Sequence, residues 1–86
     1  MASQRVNHGL RSVPLDQAQR TLLVNRRKEL GLSQQQLADR VGCLQLSIHN
    51  IEAGKHQPTP AMLQKLCTAL GIEFDVAIYV YLRPKK

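Results

Sequence analysis

The sequence has few aromatic residues: they make up 3% of its 86 residues, with one Phe, two Tyr and no Trp. Proteins that bind single-stranded nucleic acid stack bases on aromatic side chains, so this scarcity argues against that class. Long apolar runs are also missing. The longest candidate, 76–82, has seven residues, whereas a membrane-spanning helix needs about 20. Residues 1–15 contain no apolar signal-peptide core, so we expect a cytoplasmic protein with no membrane partner.

The two cysteines, Cys43 and Cys67, form no Cys-x-x-Cys pair, and their spacing to His49 and His56 does not match known zinc ligands. Both cysteines fall at apolar positions of predicted helices, so we expect core thiols and no metal site. The sequence also lacks a recognisable catalytic triad, a phosphate-binding glycine loop and a carboxylate pair. We therefore expect neither an enzyme nor a cofactor.

Positive charge outweighs negative charge, since 12 Lys and Arg residues against 6 Asp and Glu residues give a formal net charge of +6. This surplus favours a polyanionic partner, although it supports solubility and nonspecific binding equally well. A chain of this length forms one small domain that buries only roughly 60% of its unfolded surface. A large enclosed cleft is therefore not expected.

The apolar spacing predicts an arm followed by four helices. Residues 1–13 are polar and basic without a period, which indicates a flexible basic arm. The first helix spans about 15–30, the second opens at a Ser33-x-x-Gln36 capping box and ends at Gly42, and the third spans about 44–53. The fourth begins at Thr59 and Pro60 and ends at Gly71.

After Gly71 the hydrophobic period changes from three or four residues to two, which predicts one strand of about nine residues. Its apolar face contains Phe74, Val76, Ile78, Val80 and Leu82. A lone strand cannot satisfy its own ladder hydrogen bonds. We expect it to pair with the same strand of a second copy, which gives a homodimer. The alternative is pairing within the chain, against residues 4–7.

A short central segment carries the functional signal. Between residues 34 and 53, small or turn-forming residues and apolar residues occupy seven positions at fixed spacing: Leu37, Ala38, Val41, Gly42, Cys43, Ile48 and Ile51. This pattern resembles the helix-turn-helix unit of the lambda-repressor-like family, also called the xenobiotic-response-element family, and the resemblance extends over about 18–72. It implies a mainly α helix-turn-helix domain of four to five helices over 14–72. The β-strand predicted from the period-two alternation and a basic tail then occupy 73–86.

The resemblance implies a sequence-specific repressor that binds double-stranded operator DNA through its third helix. The base-reading candidates are Gln45 and Asn50, which suit an adenine edge, together with Leu46 and His49. Each has an alternative role: a solvated polar residue for Gln45 and Asn50, and ordinary surface exposure for Leu46 in place of contact with a thymine methyl. For His49 we favour a solvated histidine over contact with DNA.

Phosphate contacts fix the position of such a domain on DNA without choosing its sequence. The resemblance places Ser33, Gln34, Arg40, Lys55 and His56 in that role, and Gln34 also braces Gln45. It further implies a structural ion pair between Arg27 and Glu52. The cluster Arg26-Arg27-Lys28 fits either the dipole at a helix C-terminus or proximity to DNA.

The combination of a small repressor domain, a basic arm and a C-terminal strand resembles the HipB-type antitoxins. That resemblance implies a protein of the bacterial nucleoid that regulates its own operon and binds a HipA-like kinase toxin. Two alternatives stay open: a stand-alone repressor without a toxin partner, and a protein-interaction scaffold that lacks DNA binding.

Overall fold

The computed structural model describes residues 12–75 and 81–84. Four α-helices span Gln17–Glu29 (α1), Gln34–Val41 (α2), Gln45–Ala53 (α3) and Pro60–Leu70 (α4), and two strands span Ile72–Asp75 (β1) and Tyr81–Pro84 (β2). The mainly α fold is confirmed. None of the helices in these residues combines the length and apolar character that crossing a membrane requires.

The helix boundaries follow from local capping chemistry. The predicted capping box is confirmed, because Ser33 Oγ accepts from the Gln36 N–H and the Gln36 side chain accepts from the Ser33 N–H. Thr59 caps α4, with Pro60 in its first turn, as predicted. Asp16 caps α1 in the same way as Ser33 caps α2. Gly42 ends α2 in the left-handed conformation, with φ of 77°, which glycine adopts without steric cost.

The apolar faces of the four helices meet in one core. It contains Val13, Leu15, Leu23, Leu32, Leu37, Ala38, Val41, Ile48, Ile51, Leu63, Leu66, Cys67, Leu70 and Ile72. Helix α2 packs against both α3 and α4, and α1 packs against α3. Helix α3 is therefore held on one side by its neighbours.

The N-terminal segment reaches the core earlier than expected. Val13, which we assigned to the arm, is fully buried, and its N–H donates to the Pro58 carbonyl at 2.7 Å. The Leu15 N–H donates to Gln57 Oε1 at 2.9 Å. The arm assigned to residues 1–13 was therefore wrong at its C-terminal end, and its residues 1–11 lie outside those described.

The C-terminal segment forms a hairpin instead of one continuous strand. Strand β1 pairs antiparallel with β2, and their register places Phe74 opposite Leu82 and Ile72 opposite Pro84. A single extended strand over 74–82 is excluded, because its two predicted ends are neighbours across the ladder. The prediction of one continuous strand shared between two copies was wrong for the same reason, and the alternative of pairing within the chain holds, with β2 as the partner. Residues 4–7, the partner segment named in that alternative, lie outside the described residues. Val76, Ile78 and Val80 lie outside the described residues.

Candidate nucleic-acid interface

Helix α3 presents one exposed side. Successive residues turn by about 100° around a helix axis, so Ile48 and Ile51 face the core, and both are buried. Gln45, Leu46 and His49 lie on the opposite side and are exposed, whereas Asn50 is half-buried at its border. The structure thus brings three of the four base-reading candidates onto one surface and leaves the fourth at its edge.

A hydrogen bond joins the first residues of α2 and α3. Gln45 Nε2 donates to Gln34 Oε1 at 2.9 Å, and Gln34 Nε2 donates in turn to Glu52 Oε1 at 2.9 Å. An ionised carboxylate only accepts hydrogen bonds, so it fixes the Gln34 amide with its nitrogen toward Glu52 and its oxygen toward Gln45. The orientation of an exposed side chain is thereby set from inside the protein.

The inner end of this chain of contacts is an ion pair. Arg27 Nε and Nη2 donate to the two oxygens of Glu52 at 2.7 and 3.1 Å, and the two side chains are 10% and 9% exposed. Arg27 Nη1 also donates to the Leu32 carbonyl at 2.8 Å. The pair expected between these residues is present, and it ties α1 to α3.

Both buried charges are compensated. Glu52 Oε1 accepts from Arg27 and Gln34 together, and no buried side-chain nitrogen or oxygen in the described part of the chain lacks a partner. Such satisfaction matters because an unpaired charge in this position is strongly destabilising. We call the linked side chains of Arg27, Glu52, Gln34 and Gln45 the reading network.

The residues predicted to contact phosphate form two groups by their position in the fold, and one residue lies apart from both. Ser33 and Gln34 lie at the N-terminus of α2, next to Gln45, whereas Lys55 and His56 are exposed in the loop after α3. The N–H groups of both loop residues donate to the Asn50 carbonyl, at 2.9 and 3.3 Å, which fixes the loop. The two groups are therefore held at opposite ends of α3.

Arg40 is the outlier. It lies in the last turn of α2, roughly 9 Å along the helix axis from Gln34 at 1.5 Å per residue. It lines an open groove between α2 and α4 together with Asp39, Lys65 and Thr68. The structure therefore does not place Arg40 with the other phosphate candidates.

The basic cluster at the end of α1 has structural partners. Arg26 Nε donates to the Leu70 carbonyl at the C-terminus of α4 at 3.0 Å, and Arg26 pairs with Glu29 at 2.8 Å. Arg27 is in the buried pair. Two roles were left open for this cluster: a structural role at a helix C-terminus and proximity to DNA. Arg26 and Arg27 have structural roles, although the helix C-terminus that Arg26 contacts is that of α4, not that of α1.

Arg20 is a residue that the sequence pattern did not reveal. Its Nη1 donates to the Leu15 carbonyl at 2.8 Å, and its guanidinium lies against Gly54, where an added Cβ would come within 2.9 Å of Cζ. Gly54 follows the last residue of α3 in the left-handed conformation. The glycine thus serves both the turn and the close approach of Arg20 to the end of α3.

The cysteines are placed differently from each other. Cys67 is buried in α4, and burial raises the pKa of its thiol to about 12. Cys43 lies in the turn between α2 and α3, not in a helix as predicted, and burial raises its pKa while the Lys65 ammonium lowers it in part. Across residues 12–75 and 81–84, no three His, Cys, Asp or Glu residues are grouped as a metal site would require.

Comparison with known proteins fits this arrangement of two short helices joined by a tight turn. Residues 23–76, more than half of the chain, match the Helix-turn-helix family. The chain belongs to this family, and the predicted membership is confirmed. The family supports DNA binding by this domain.

One relative is an uncharacterized HTH-type transcriptional regulator of Methanothermobacter thermautotrophicus (strain ATCC 29096 / DSM 1053 / JCM 10044 / NBRC 100330 / Delta H). It is 39% identical over 61 residues, which cover 71% of this chain and 88% of the relative. No solved structure matches the chain significantly.

Proposed function

We propose that the protein is a sequence-specific transcriptional repressor that inserts α3 into the major groove of double-stranded operator DNA. The observation that carries the proposal is the hydrogen bond from Gln45 to Gln34, which holds an amide on the exposed side of α3. Helix-turn-helix proteins read base edges with the N-terminal residues of their second helix. Gln45 is the first residue of that helix, and the relative's name supports a role in transcription.

The hydrogen-bonding groups that remain on Gln45 favour adenine. Its Nε2 carries two hydrogens, of which Gln34 takes one, so one N–H donor and the Oε1 acceptor are left. Adenine presents an acceptor at N7 and a donor at N6 in the major groove, which match these groups. Guanine presents two acceptors, N7 and O6. One of them would face the Gln45 Oε1 acceptor with no hydrogen between the two atoms, so no hydrogen bond could form there. By accepting one N–H of Gln45, Gln34 thus makes the Gln45 amide favour adenine over guanine.

Three further side chains complete the proposed reading surface. Leu46 and His49 share the exposed side of α3 with Gln45, and Asn50 lies half-buried at its border. Amide and imidazole groups supply donors and acceptors, and leucine supplies apolar contact. We assign these residues to base contact and not to general attraction.

Phosphate binding is assigned to groups on either side of α3. The Ser33 hydroxyl accepts from Gln36 and keeps its hydrogen for a phosphate oxygen. The first N–H groups of α2, including that of Gln34, lack partners within the helix and point outward as helix N-termini do. At the far end, Lys55 supplies a cation and His56 supplies an imidazole N–H donor. Arg40 contributes through the field of the positive protein instead of a direct contact.

Selection of duplexes from a random library, followed by binding titrations, tests this proposal. The wild-type protein should enrich one motif that contains adenine, and Gln45→Ala should lose about 1–3 kcal/mol of discrimination at that base. Gln64→Ala, an exposed glutamine of α4, is the matched control and should bind like wild type. Equal binding of the selected and random duplexes would overturn the proposal.

We also propose that the protein acts as a homodimer on a pseudo-palindromic operator, with half-sites about 34–36 Å apart. In the described residues β1 and β2 form a two-stranded sheet, and we propose that an outer edge of this sheet pairs with a second copy. Sedimentation of the free protein should give twice the chain mass. A monomer at micromolar concentration would remove this part of the proposal.

We propose an antitoxin role as the biological setting: the protein sits on the bacterial nucleoid in the cytoplasm, represses its own operon and sequesters a HipA-like kinase toxin. A helix-turn-helix domain followed by C-terminal strands supports it. Co-purification with the product of an adjacent kinase-like gene is the test. DNA binding without a toxin partner would leave the stand-alone repressor, and toxin binding without DNA binding would leave the interaction scaffold.

A further inference from the structure

Two exposed leucines border Gln45. Leu44 is 74% exposed and Leu46 is 61% exposed. The third large apolar side chain exposed in residues 12–73 is Leu30, at the end of α1. Single exposed leucines are common, but here two of three flank the side chain to which base reading is assigned.

Leu44 also occupies a position where a polar residue would stabilise the fold. It is the N-cap of α3 and makes no side-chain capping bond, whereas Asp16, Ser33 and Thr59 cap the other three helices. Ser, Thr, Asp and Asn at an N-cap satisfy a free backbone N–H, which leucine cannot do. Departures from local rules concentrate at functional sites. The apolar side chain is therefore to be explained by what it contacts.

The major groove offers few apolar partners. Base edges there carry hydrogen-bonding groups, and the C5-methyl group of thymine is the apolar feature among them. The same methyl group is present on 5-methylcytosine. A leucine on either side of an adenine-reading amide suits a methylated pyrimidine next to that adenine.

We propose that Leu44 and Leu46 contact the C5-methyl group of a pyrimidine adjacent to the base read by Gln45. The half-site is then rich in A·T pairs when the methyl group belongs to thymine. This inference rests on the proposed function and deepens it, because it names the chemical group that the apolar part of the surface recognises.

The test removes single methyl groups from a duplex selected from the random library. Each thymine is replaced in turn by deoxyuridine, which lacks only the C5-methyl group. Wild-type binding should weaken about fourfold at one thymine in each half-site, since burying one such carbon contributes about 0.8 kcal/mol. Replacement at the other thymines should leave binding unchanged.

Variants assign the effect to the two leucines. Leu46→Ala and Leu44→Ala should each lose at least half of the difference between thymine and deoxyuridine. Leu30→Ala is the matched control and should keep the fourfold difference. Thermal melts followed by circular dichroism check that all three variants are folded.

A second pair of duplexes distinguishes the source of the methyl group. Binding affinity is compared between cytosine and 5-methylcytosine at the thymine position that is sensitive to methyl removal. The same comparison is made in a second duplex, selected from a library that contains 5-methylcytosine. Tighter binding with thymine than with deoxyuridine assigns unmodified DNA as the ligand. Tighter binding that occurs only with 5-methylcytosine relative to cytosine assigns methylated DNA. A wild-type protein that ignores every methyl removal, or a Leu46→Ala variant that keeps the full difference, would overturn the inference while leaving DNA binding intact. Failure to enrich any duplex would overturn the proposed function itself.

Discussion

Gln45 donates a hydrogen bond to Gln34 across the turn between α2 and α3, at 2.9 Å. The contact joins an exposed residue to a half-buried one. It restricts the amide of Gln45 before any ligand is present, and preorganisation of this kind lowers the entropy lost on binding.

Removal of Gln34 should reduce selectivity more than affinity. In Gln34→Ala, the second N–H of Gln45 becomes available, so guanine N7 and O6 can both accept from it. We expect the adenine-to-guanine preference at the base read by Gln45 to fall by about 1 kcal/mol or more. Competition titrations with duplexes that differ at that one pair measure it. An unchanged preference would show that Gln34 does not orient Gln45.

The Arg27–Glu52 pair should govern stability. Glu52→Ala leaves the Arg27 guanidinium buried without its partner, which typically costs about 3–5 kcal/mol. Urea unfolding measures the loss. Glu29→Ala breaks the Arg26–Glu29 pair, in which Glu29 is 61% exposed, and such surface pairs contribute about 0–1 kcal/mol. Equal losses for both variants would contradict the structural role of the buried pair.

Replacement of Leu44 by a capping residue should stabilise the protein. Leu44→Ser supplies the missing side-chain acceptor at the start of α3, and an N-cap of this kind contributes about 1 kcal/mol. We expect the free energy of unfolding to rise by that amount in urea titrations. Leu44→Ala, which adds no acceptor, is the control. A decrease with serine would mean that Leu44 packs more tightly than its exposure indicates.

Lys55 should contribute to DNA affinity without contributing to sequence choice. Lys55→Ala should weaken selected and random duplexes alike and reduce the slope of log K against log salt by about one. The matched control is Lys65→Ala, because Lys65 lines the groove between α2 and α4. The assignment fails if the two variants change the salt slope equally.

Alkaline pH should destabilise the protein through Cys67. Burial raises the pKa of its thiol from 9.0 to about 12, so the folded state keeps a proton that the unfolded state has lost. The contribution is fully present below pH 9 and is lost as the pH rises from 9 toward 12, by at most about 1.4 kcal/mol per unit. Unfolding titrations over this range should show a steeper decline for wild type than for Cys67→Ala. Parallel declines would contradict it.

The helices and the exposed side of α3 were predictable because their signals are local. Ser33 and Gln36 lie three residues apart, as a capping box requires, and Ile48 and Ile51 mark the buried side of α3 within one turn. Short-range spacing of this kind is visible in a single sequence.

Contacts between distant residues were not predictable in this way. Arg26 donates to the carbonyl of Leu70, which is 44 residues away, and the Leu15 N–H donates to Gln57, which is 42 residues away. No local sequence pattern marks either acceptor. The pairing of β1 with β2 was not predicted because the sequence between them, 76–80, contains no Gly, Pro, Asn or Asp. These are the residues that usually mark a turn in a sequence. The alternation of apolar residues therefore read as one strand.

The reading network divides the residues of α3 into two classes for any attempt to change the preferred operator. Gln45 is linked through Gln34 to the carboxylate that neutralises Arg27, so a replacement at position 45 has to suit the Gln34 oxygen as well as a base. Leu46 and His49 lie on the same exposed side but outside that network. Under the proposed function, new DNA preferences are therefore more accessible, in the laboratory or by drift, through positions 46 and 49 than through position 45.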